Sequence, residues 1–496
     1  MSATDVALQP LDKYGKAIDE VEEAAEPILL RVYKRRWIVL IAVALLNNTN
    51  TMSWISYAPS GNYVNSFYGD GSAAWLSVIY MLCTIPVGVF AMWAGGEWGL
   101  RTAVLIAGWA NGIGAVIRVI SSLDFMPQEY RFATCLTGQA IAAVAYPFIM
   151  FLPTKVAGSW FPDTQRAIAT TVGVMSNPLG VLMANLISPR IVQAPEHVIW
   201  LNVFTCVPSL VAMALATFGV NRSVPKIPPT ISASKPQMDF VSGMKSCFSS
   251  KQYIILLIVM GGGIGMFNCL YTVMMELLCP SGYSNTFSGI CAALMIIGGV
   301  FGAAASGIFV DRTKLYEQTL KLSLTVAVAF GVIFLQLTLH QGQSVLIAIM
   351  CLLFGVLGLA SYPVGLELAS ECTFPVSEAT STGLIVLSGQ IQSVIYVFIM
   401  KKFARALQPE FMSVQVCQLT PDDTTNIPKD NSMSILIFSA LAGLLVLVLL
   451  AFFKPVYKRL EAERGNRATA DKAKELAKED HVTLQTDSVV QPLQSE

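Results

Sequence analysis

Twelve stretches of about 20 mostly apolar residues dominate the sequence, near 37–58, 74–95, 101–121, 131–152, 167–188, 198–219, 253–275, 286–310, 320–339, 343–366, 377–400 and 432–453. Each has the length a helix needs to cross the hydrocarbon of a bilayer. In that solvent every backbone donor and acceptor has to be satisfied within the chain, so the expected fold is all-α and polytopic, with twelve transmembrane helices. Charged residues make up 13% of the chain, against roughly a quarter in a soluble protein. The 32 basic and 32 acidic residues cancel, so bulk charge points to no nucleic acid and no acidic partner; the lipid bilayer is the expected surrounding.

An even number of spans puts both termini on one side, and the Lys/Arg bias makes that side cytoplasmic. Of the 32 Lys and Arg, 25 fall in the two tails and in the connections on that side, whereas the connections after spans 1, 7 and 9 carry none. The expected organisation is a cytoplasmic tail (1–36), a six-helix bundle (37–220), a Pro-, Ser- and Lys-rich cytoplasmic linker (221–252), a second six-helix bundle (253–453) and a cytoplasmic tail (454–496). The polar, acidic first 30 residues do not read as a cleavable signal, which leaves span 1 as its own targeting signal. The last tail, with Lys458-Arg459-Leu460-Glu461 and Lys472-Ala473-Lys474-Glu475, reads as a solvated charged helix followed by disorder. The long outer connection from Lys401 to Asn431 reads as an ordered cap or a mobile loop. Ten scattered cysteines, without a CxxC or Cys/His cluster, read as small core residues, and no metal or cofactor is expected.

The two halves echo each other. Trp160-Phe161-Pro162 before span 5 matches Thr373-Phe374-Pro375 before span 11 at an offset of 213 residues, and spans 1 and 7 start 216 residues apart. Parallel repeats of this kind are the architecture of the major facilitator superfamily, whose substrate site lies between the halves at the midplane.

Span 1 carries Asn47, Asn48, Thr49, Asn50 and Thr51 in its middle, followed by Trp54 and Tyr57. Unpartnered amides and hydroxyls are costly in hydrocarbon, so they turn to other helices or to a watery cavity. Five in a row cover every face of a helix; some are expected to line a cavity, others to join helices, and the run is expected to loosen the helix. In span 5, Gly173-Val-Met-Ser-Asn-Pro-Leu-Gly180 has the small residues and proline that bend a helix and permit close packing where the halves rock.

Between spans 8 and 9, Gly307-Ile308-Phe309-Val310-Asp311-Arg312-Thr313-Lys314 resembles the superfamily's loop signature, in which Gly allows close approach while Asp and basic residues latch the cytoplasmic side. Its counterpart, Gly95-Gly96-Glu97-Trp98-Gly99-Leu100-Arg101, has its acid displaced and reads either as a degenerate latch or as an ordinary basic turn.

Span 10 carries the most specific resemblance. Pro363-Val364-Gly365-Leu366-Glu367-Leu368-Ala369-Ser370-Glu371-Cys372-Thr373-Phe374-Pro375, with Glu378 and Ser381-Thr382-Gly383, resembles the signature of the feline leukaemia virus subgroup C receptor family, solute carrier family 49. Tyr33-Lys34-Arg35-Arg36-Trp37, Trp75-Leu76-Ser77 and Tyr80-Met81 agree, and Met175-Ser176-Asn177-Pro178-Leu179-Gly180 with Ala184-Asn185 looks most like the branch called major facilitator superfamily domain-containing protein 7. The resemblance implies a facilitator of choline, ethanolamine or haem. For choline-type members it implies a Trp in helix 1 and a Gln in each of helices 4 and 11; Trp54 and Gln390 match, while Tyr146 stands at the helix 4 position.

From these residues the expected substrate site is Trp54, Tyr146 and Tyr271 as aromatic walls with Asn50, Asn268 and Gln390 as neutral polar groups. Rings attract a quaternary ammonium by roughly 0.5 to 2 kcal/mol each. The alternative for Tyr146 and Tyr271 is plain helix packing with satisfied hydroxyls. Expected gating residues are Arg101, Arg166, Asp311, Arg312, Glu371 and Glu378; Glu367 and Glu371, four apart, either pair with Glu378 and Arg166 as an inner gate or solvate helix ends. With Arg118, Glu276 and Glu367 placed at span ends, no acid or His stands at mid-depth for a proton relay, which favours uniport.

The expected function is therefore a plasma-membrane facilitator of a small organic cation. Haem transport is the alternative, although the three His (197, 340, 481) lie outside the expected pocket and leave Cys or Tyr as ligands. A receptor that keeps the fold without transporting is a third reading. No nucleophile–base pair, metal cluster or phosphate loop suggests an enzyme.

Overall fold

The computed structural model describes residues 30–69, 72–234, 238–416 and 428–464. Among them are twelve helices long and apolar enough to cross a membrane. In chain order they are α1 (Arg36–Ile55), α2 (Ser72–Glu97), α3 (Gly99–Ser121), α4 (Gln128–Trp160), α5 (Arg166–Ile191), α6 (Val198–Ala214), α7 (Lys251–Leu278), α8 (Asn285–Thr313), α9 (Tyr316–Leu337), α10 (Ser344–Thr373), α11 (Glu378–Phe403) and α12 (Ser432–Phe452). α4 and α10 run seven or eight residues past the apolar stretches at their C-terminal ends, whereas α1 and α6 stop three and five residues short of theirs. The start of α1 and the end of α12 lie on the same face, here called the terminal face: Arg36 Nη2 donates to Gln165 Oε1 (2.8 Å) at the head of α5, and Lys454 N–H to Gln252 Oε1 (2.8 Å) at the head of α7.

Apolar burial groups the helices. One cluster centres on Leu46, Val104, Phe148, Phe151 and Phe161 from α1, α3, α4 and the turn after α4, and another on Met295, Phe334, Cys351, Phe354 and Phe438 from α8, α9, α10 and α12. A third, around Tyr253, Leu320, Leu368 and Phe453, also takes in Ala167, Val174 and Met175 of α5 and so joins the two sets. The closest helix pair is α8 with α10, where a Cβ added to Gly302 would overlap the backbone carbonyl of Val356 and one on Gly355 that of Met295. Small residues let backbones meet, the usual way helices associate in lipid. Gly173 and Gly180 act in the same manner, but against Pro153 of α4 and Asn48 of α1.

The polar run of span 1 does not loosen its helix: α1 is continuous through Asn47–Thr51. Each side chain finds a neighbour. Asn47 Nδ2 donates to Gly173 O (2.9 Å) and Asn48 Nδ2 to Ser176 O (3.1 Å), both on α5. Thr49 accepts from Asn111 Nδ2 of α3 (3.1 Å), and Thr51 from Asn177 Nδ2 of α5 (2.7 Å). With partners supplied by α5, the amides of Asn47 and Asn48 do not compete for the backbone groups of α1.

Several expectations need correction. Cys279 is disulfide-bonded rather than a core thiol, while the other eight described cysteines are free. Arg118 sits at a span end yet is wholly buried, its guanidinium donating to Tyr57 Oη (2.9 Å) and Ser56 Oγ (3.2 Å) and lying 4.7 Å from the Tyr57 ring. Within the described part of the inner connection, a short helix, Phe240–Ser249, is capped by Asp239 and packs its Gly243 on Val376. Outside α11, Arg405–Ala406 pairs antiparallel with Lys429–Asp430. The charged run at 458–464 is helical but solvated on one side only: Lys458, Glu461 and Arg464 are exposed, whereas Arg459 and Glu463 are 2% and 3% exposed. The expectations for residues 1–29 and for Lys472–Glu475 lie outside the described residues.

Candidate functional site: a cavity between the helices and a closed terminal face

A cavity of about 160 Å³ opens at mid-depth among α1, α4, α5, α7, α9, α10, α11 and α12. Its polar lining comes from Asn47, Tyr146, Asn177, Asn268, Tyr362 and Gln390, each near the middle of its helix, together with Ser361 and Ser439; the rest is apolar. No charged residue lines it among the described residues. Asn47 and Asn177 are tied together, Asn177 Nδ2 donating to Asn47 Oδ1 at 3.2 Å.

The structure brings three of the expected site residues, Tyr146, Asn268 and Gln390, to this cavity. The other three stand elsewhere. Trp54 lies behind Tyr146 at a ring separation of 6.3 Å, its indole N–H given to Ser77 O (3.1 Å). Tyr80 completes this aromatic trio, 6.3 Å from Trp54 and 6.2 Å from Tyr146. Asn50 is fully buried, its amide donating to Asn111 Oδ1 (3.0 Å) and Ala142 O (2.9 Å), which makes it a tie between α1, α3 and α4. Tyr271 Oη accepts from Asn185 Nδ2 at 3.0 Å, a link from α7 to α5. Sequence reasoning missed Tyr362, which precedes Pro363 at the start of the span 10 signature; a hydroxyl-bearing ring in mid-span was the available signal.

The expected gating residues crowd the terminal face. Asp311 is 6% exposed and accepts from the N–H groups of Ala167 (2.9 Å) and Ile168 (2.8 Å) at the start of α5. Gly307 permits this approach, since a Cβ there would come within 2.7 Å of Thr171 Oγ1. Thr170 Oγ1 donates to Glu367 Oε1, and Thr154 and Thr382 share a hydrogen bond of 3.0 Å between α4 and α11. Arg166 lies 3.9 Å from Glu371, whereas Glu378 pairs at 3.2 Å with Arg459 instead of with Arg166. Arg101 and Arg312 are exposed on this face. The first loop copy takes a different role, as Glu97 accepts from Phe240 N–H (3.3 Å) at the head of the short helix. The polar links between α1–α6 and α7–α12 thus gather at the terminal face, with Asn185–Tyr271 crossing elsewhere.

Twelve long helices around a mid-depth cavity, pinned together on one face, define a carrier of the major facilitator type, and the profile of the Major Facilitator Superfamily matches residues 21–396. Within that superfamily the chain belongs to solute carrier family 49. It is 37% identical over 439 residues to solute carrier family 49 member A3 of Xenopus tropicalis, covering 87% of this chain and 90% of the relative. It is also 29% identical over 387 residues to the choline/ethanolamine transporter FLVCR2 of Homo sapiens, covering 74% of this chain and 72% of that one. The fold matches that of the major facilitator FucP in its outward conformation with a TM-score of 0.62 at 11% identity, covering 84% of this chain and all (100%) of that one.

Proposed function

We propose that this carrier moves a small organic cation of the choline or ethanolamine kind across the plasma membrane by alternating access, as a uniporter with both termini in the cytoplasm. The observation that carries the reading is the lining of the cavity: rings and neutral amides with no charged group among the described residues. A quaternary ammonium spreads its charge over methyl groups, so ring faces can hold it by roughly 0.5 to 2 kcal/mol each without a carboxylate. A hydroxyl on the same solute can bond the amides of Asn268 or Gln390. The relatives described as choline/ethanolamine transporters support the same class of substrate. In this reading Tyr146 and Tyr362 are the ring walls, Trp54 and Tyr80 brace Tyr146 from behind, and the two moving bodies are residues 37–220 and 253–453.

The size of the cavity, about 160 Å³, falls below the roughly 300–1,000 Å³ of drug-sized ligand sites and favours a small solute over a porphyrin. An open space in place of a plug of side chains favours transport over a receptor role. The test is ligand-dependent stability of the purified protein. A solute that binds the folded state at a hundred times its Kd raises stability by about 2.7 kcal/mol, so choline should raise the melting temperature in a saturable way and sodium chloride should not. No shift with either choline or ethanolamine contradicts the proposal.

A further inference from the structure

The segment that follows α12 is woven into the closed terminal face. It is held to α9, because Lys321 Nζ donates to Phe453 O (2.7 Å), Tyr457 Oη accepts from Glu317 N–H (3.1 Å) and the rings of Tyr316 and Tyr457 lie 5.8 Å apart. Its backbone is tied to α10 by the Leu460 N–H, which donates to Glu371 Oε2 at 3.1 Å. Two side chains one turn apart then face opposite charges. Arg459 pairs with Glu378 at 3.2 Å, and Glu463 pairs with Arg166 at 2.8 Å. Arg166 and Glu378 open α5 and α11, the equivalent helices of the two repeats, so the segment offers one counter-charge to each half.

Ser232 of the inner connection joins both pairs: its Oγ donates to Glu463 Oε1 (2.5 Å) and accepts from Arg166 Nη2 (2.8 Å) and Arg459 Nε (3.4 Å). The network is also incomplete. Arg166 Nε, Glu463 Oε2 and Glu367 Oε2 are buried without a hydrogen-bond partner among the described residues. Buried charges left partly unsatisfied hold a contact together while limiting its stability, which suits a contact that has to break in every cycle.

We infer that residues 454–464 are a bolt of the transport machinery: Glu463 carries the contact across the halves, and Arg459 is a positioning residue that keeps Glu463 aimed at Arg166. The anchor residues Tyr457 and Phe453 travel with α9–α12. Parting of the terminal face therefore breaks Glu463–Arg166 and leaves Arg459–Glu378 intact. The inference needs only the carrier class and is independent of which solute is carried.

Cys372 provides a native reporter, since it is buried next to Glu371 in the apolar cluster against which Tyr457 packs, while Cys135 is buried at the other end of the fold. The full chain in lipid nanodiscs is treated with a bulky polar maleimide and labelling of each cysteine is read by peptide mass spectrometry. Glu463→Gln and Arg459→Ala should each raise labelling of Cys372 about tenfold, the shift of an equilibrium by roughly 1.4 kcal/mol, with Cys135 protected as before. The double reversal Arg459→Glu with Glu378→Arg should restore protection. Unchanged labelling of Cys372 in Glu463→Gln overturns the inference. So does a joint rise of Cys372 and Cys135 that the double reversal does not correct, because that pattern marks a brace needed for folding.

Discussion

The carboxylate of Asp311, at the end of α8, caps the N-terminus of α5 across the two halves, its oxygens 2.9 and 2.8 Å from the N–H groups of Ala167 and Ile168. The first N–H groups of a helix have no partner within it, and the helix dipole favours an anion there. The side chain and the helix end thus complete each other only while the terminal face is closed. Hydrogen bonds to a charged group are worth about 1.5–3 kcal/mol, so Asp311→Asn should shift the carrier roughly tenfold or more toward the state open on that face. Spin labels at the exposed positions Trp98 and Lys454 should report a longer distance in this variant; an unchanged distance distribution would remove Asp311 from the latch.

Tyr146 and Tyr362 line the cavity from α4 and α10. Losing one ring face forfeits roughly 0.5 to 2 kcal/mol of cation binding, about a 2- to 30-fold rise in the half-saturating concentration. Tyr362→Ala should show that rise in uptake assays, and Trp54→Ala a smaller one, because its ring stands behind Tyr146. Equal losses in both variants would put Trp54 at the solute instead.

Gly302→Ala drives a methyl into the carbonyl of Val356 where α8 meets α10. Backbone cannot step aside as a side chain can, and overpacking of this kind costs typically about 1–3 kcal/mol. The variant should melt several degrees lower in detergent, whereas Gly443→Ala, whose added Cβ meets nothing within 4 Å, should not. Equal melting temperatures would mean that the two helices are not in this register.

Asp239 heads the short helix Phe240–Ser249, and the Ser242 N–H, 3.1 Å from its Oδ2, holds its carboxyl below the usual range. A depressed pKa means that the capping contribution is present above the unfolded value and is lost as the pH falls through the folded one. Amide exchange in residues 240–249, corrected for its intrinsic pH dependence, should quicken on acidification and do so less in Asp239→Asn. Identical profiles for the two would exclude the cap.

Much of the fold was legible because the bilayer allows so little else: apolar length gave the spans, and all twelve are helices. The close contact of α8 with the head of α5 was legible too, since Gly307 and Asp311 sit at a fixed spacing and meet Thr171 and the N–H groups of Ala167 and Ile168. The site was harder to read. Asn50 and Asn47 are three apart in one polar run, yet Asn47 faces the cavity and Asn50 ties helices together, a difference set by the rotation of α1 against α3 and α5. Charge composition made all of 458–464 look solvated; the burial of Arg459 and Glu463 depends on the opposite charges of Glu378 and Arg166, which lie far away in sequence. Pairing partners at such separations leave no periodic trace.

The central claim is transport of an organic cation through this cavity, and uptake of labelled choline into proteoliposomes containing the purified chain tests it most directly. The account predicts saturable uptake above empty liposomes, competed by ethanolamine and weakened in Tyr362→Ala protein of normal fold. Folded protein that takes up neither choline nor ethanolamine, or uptake indifferent to both cavity tyrosines, would contradict it.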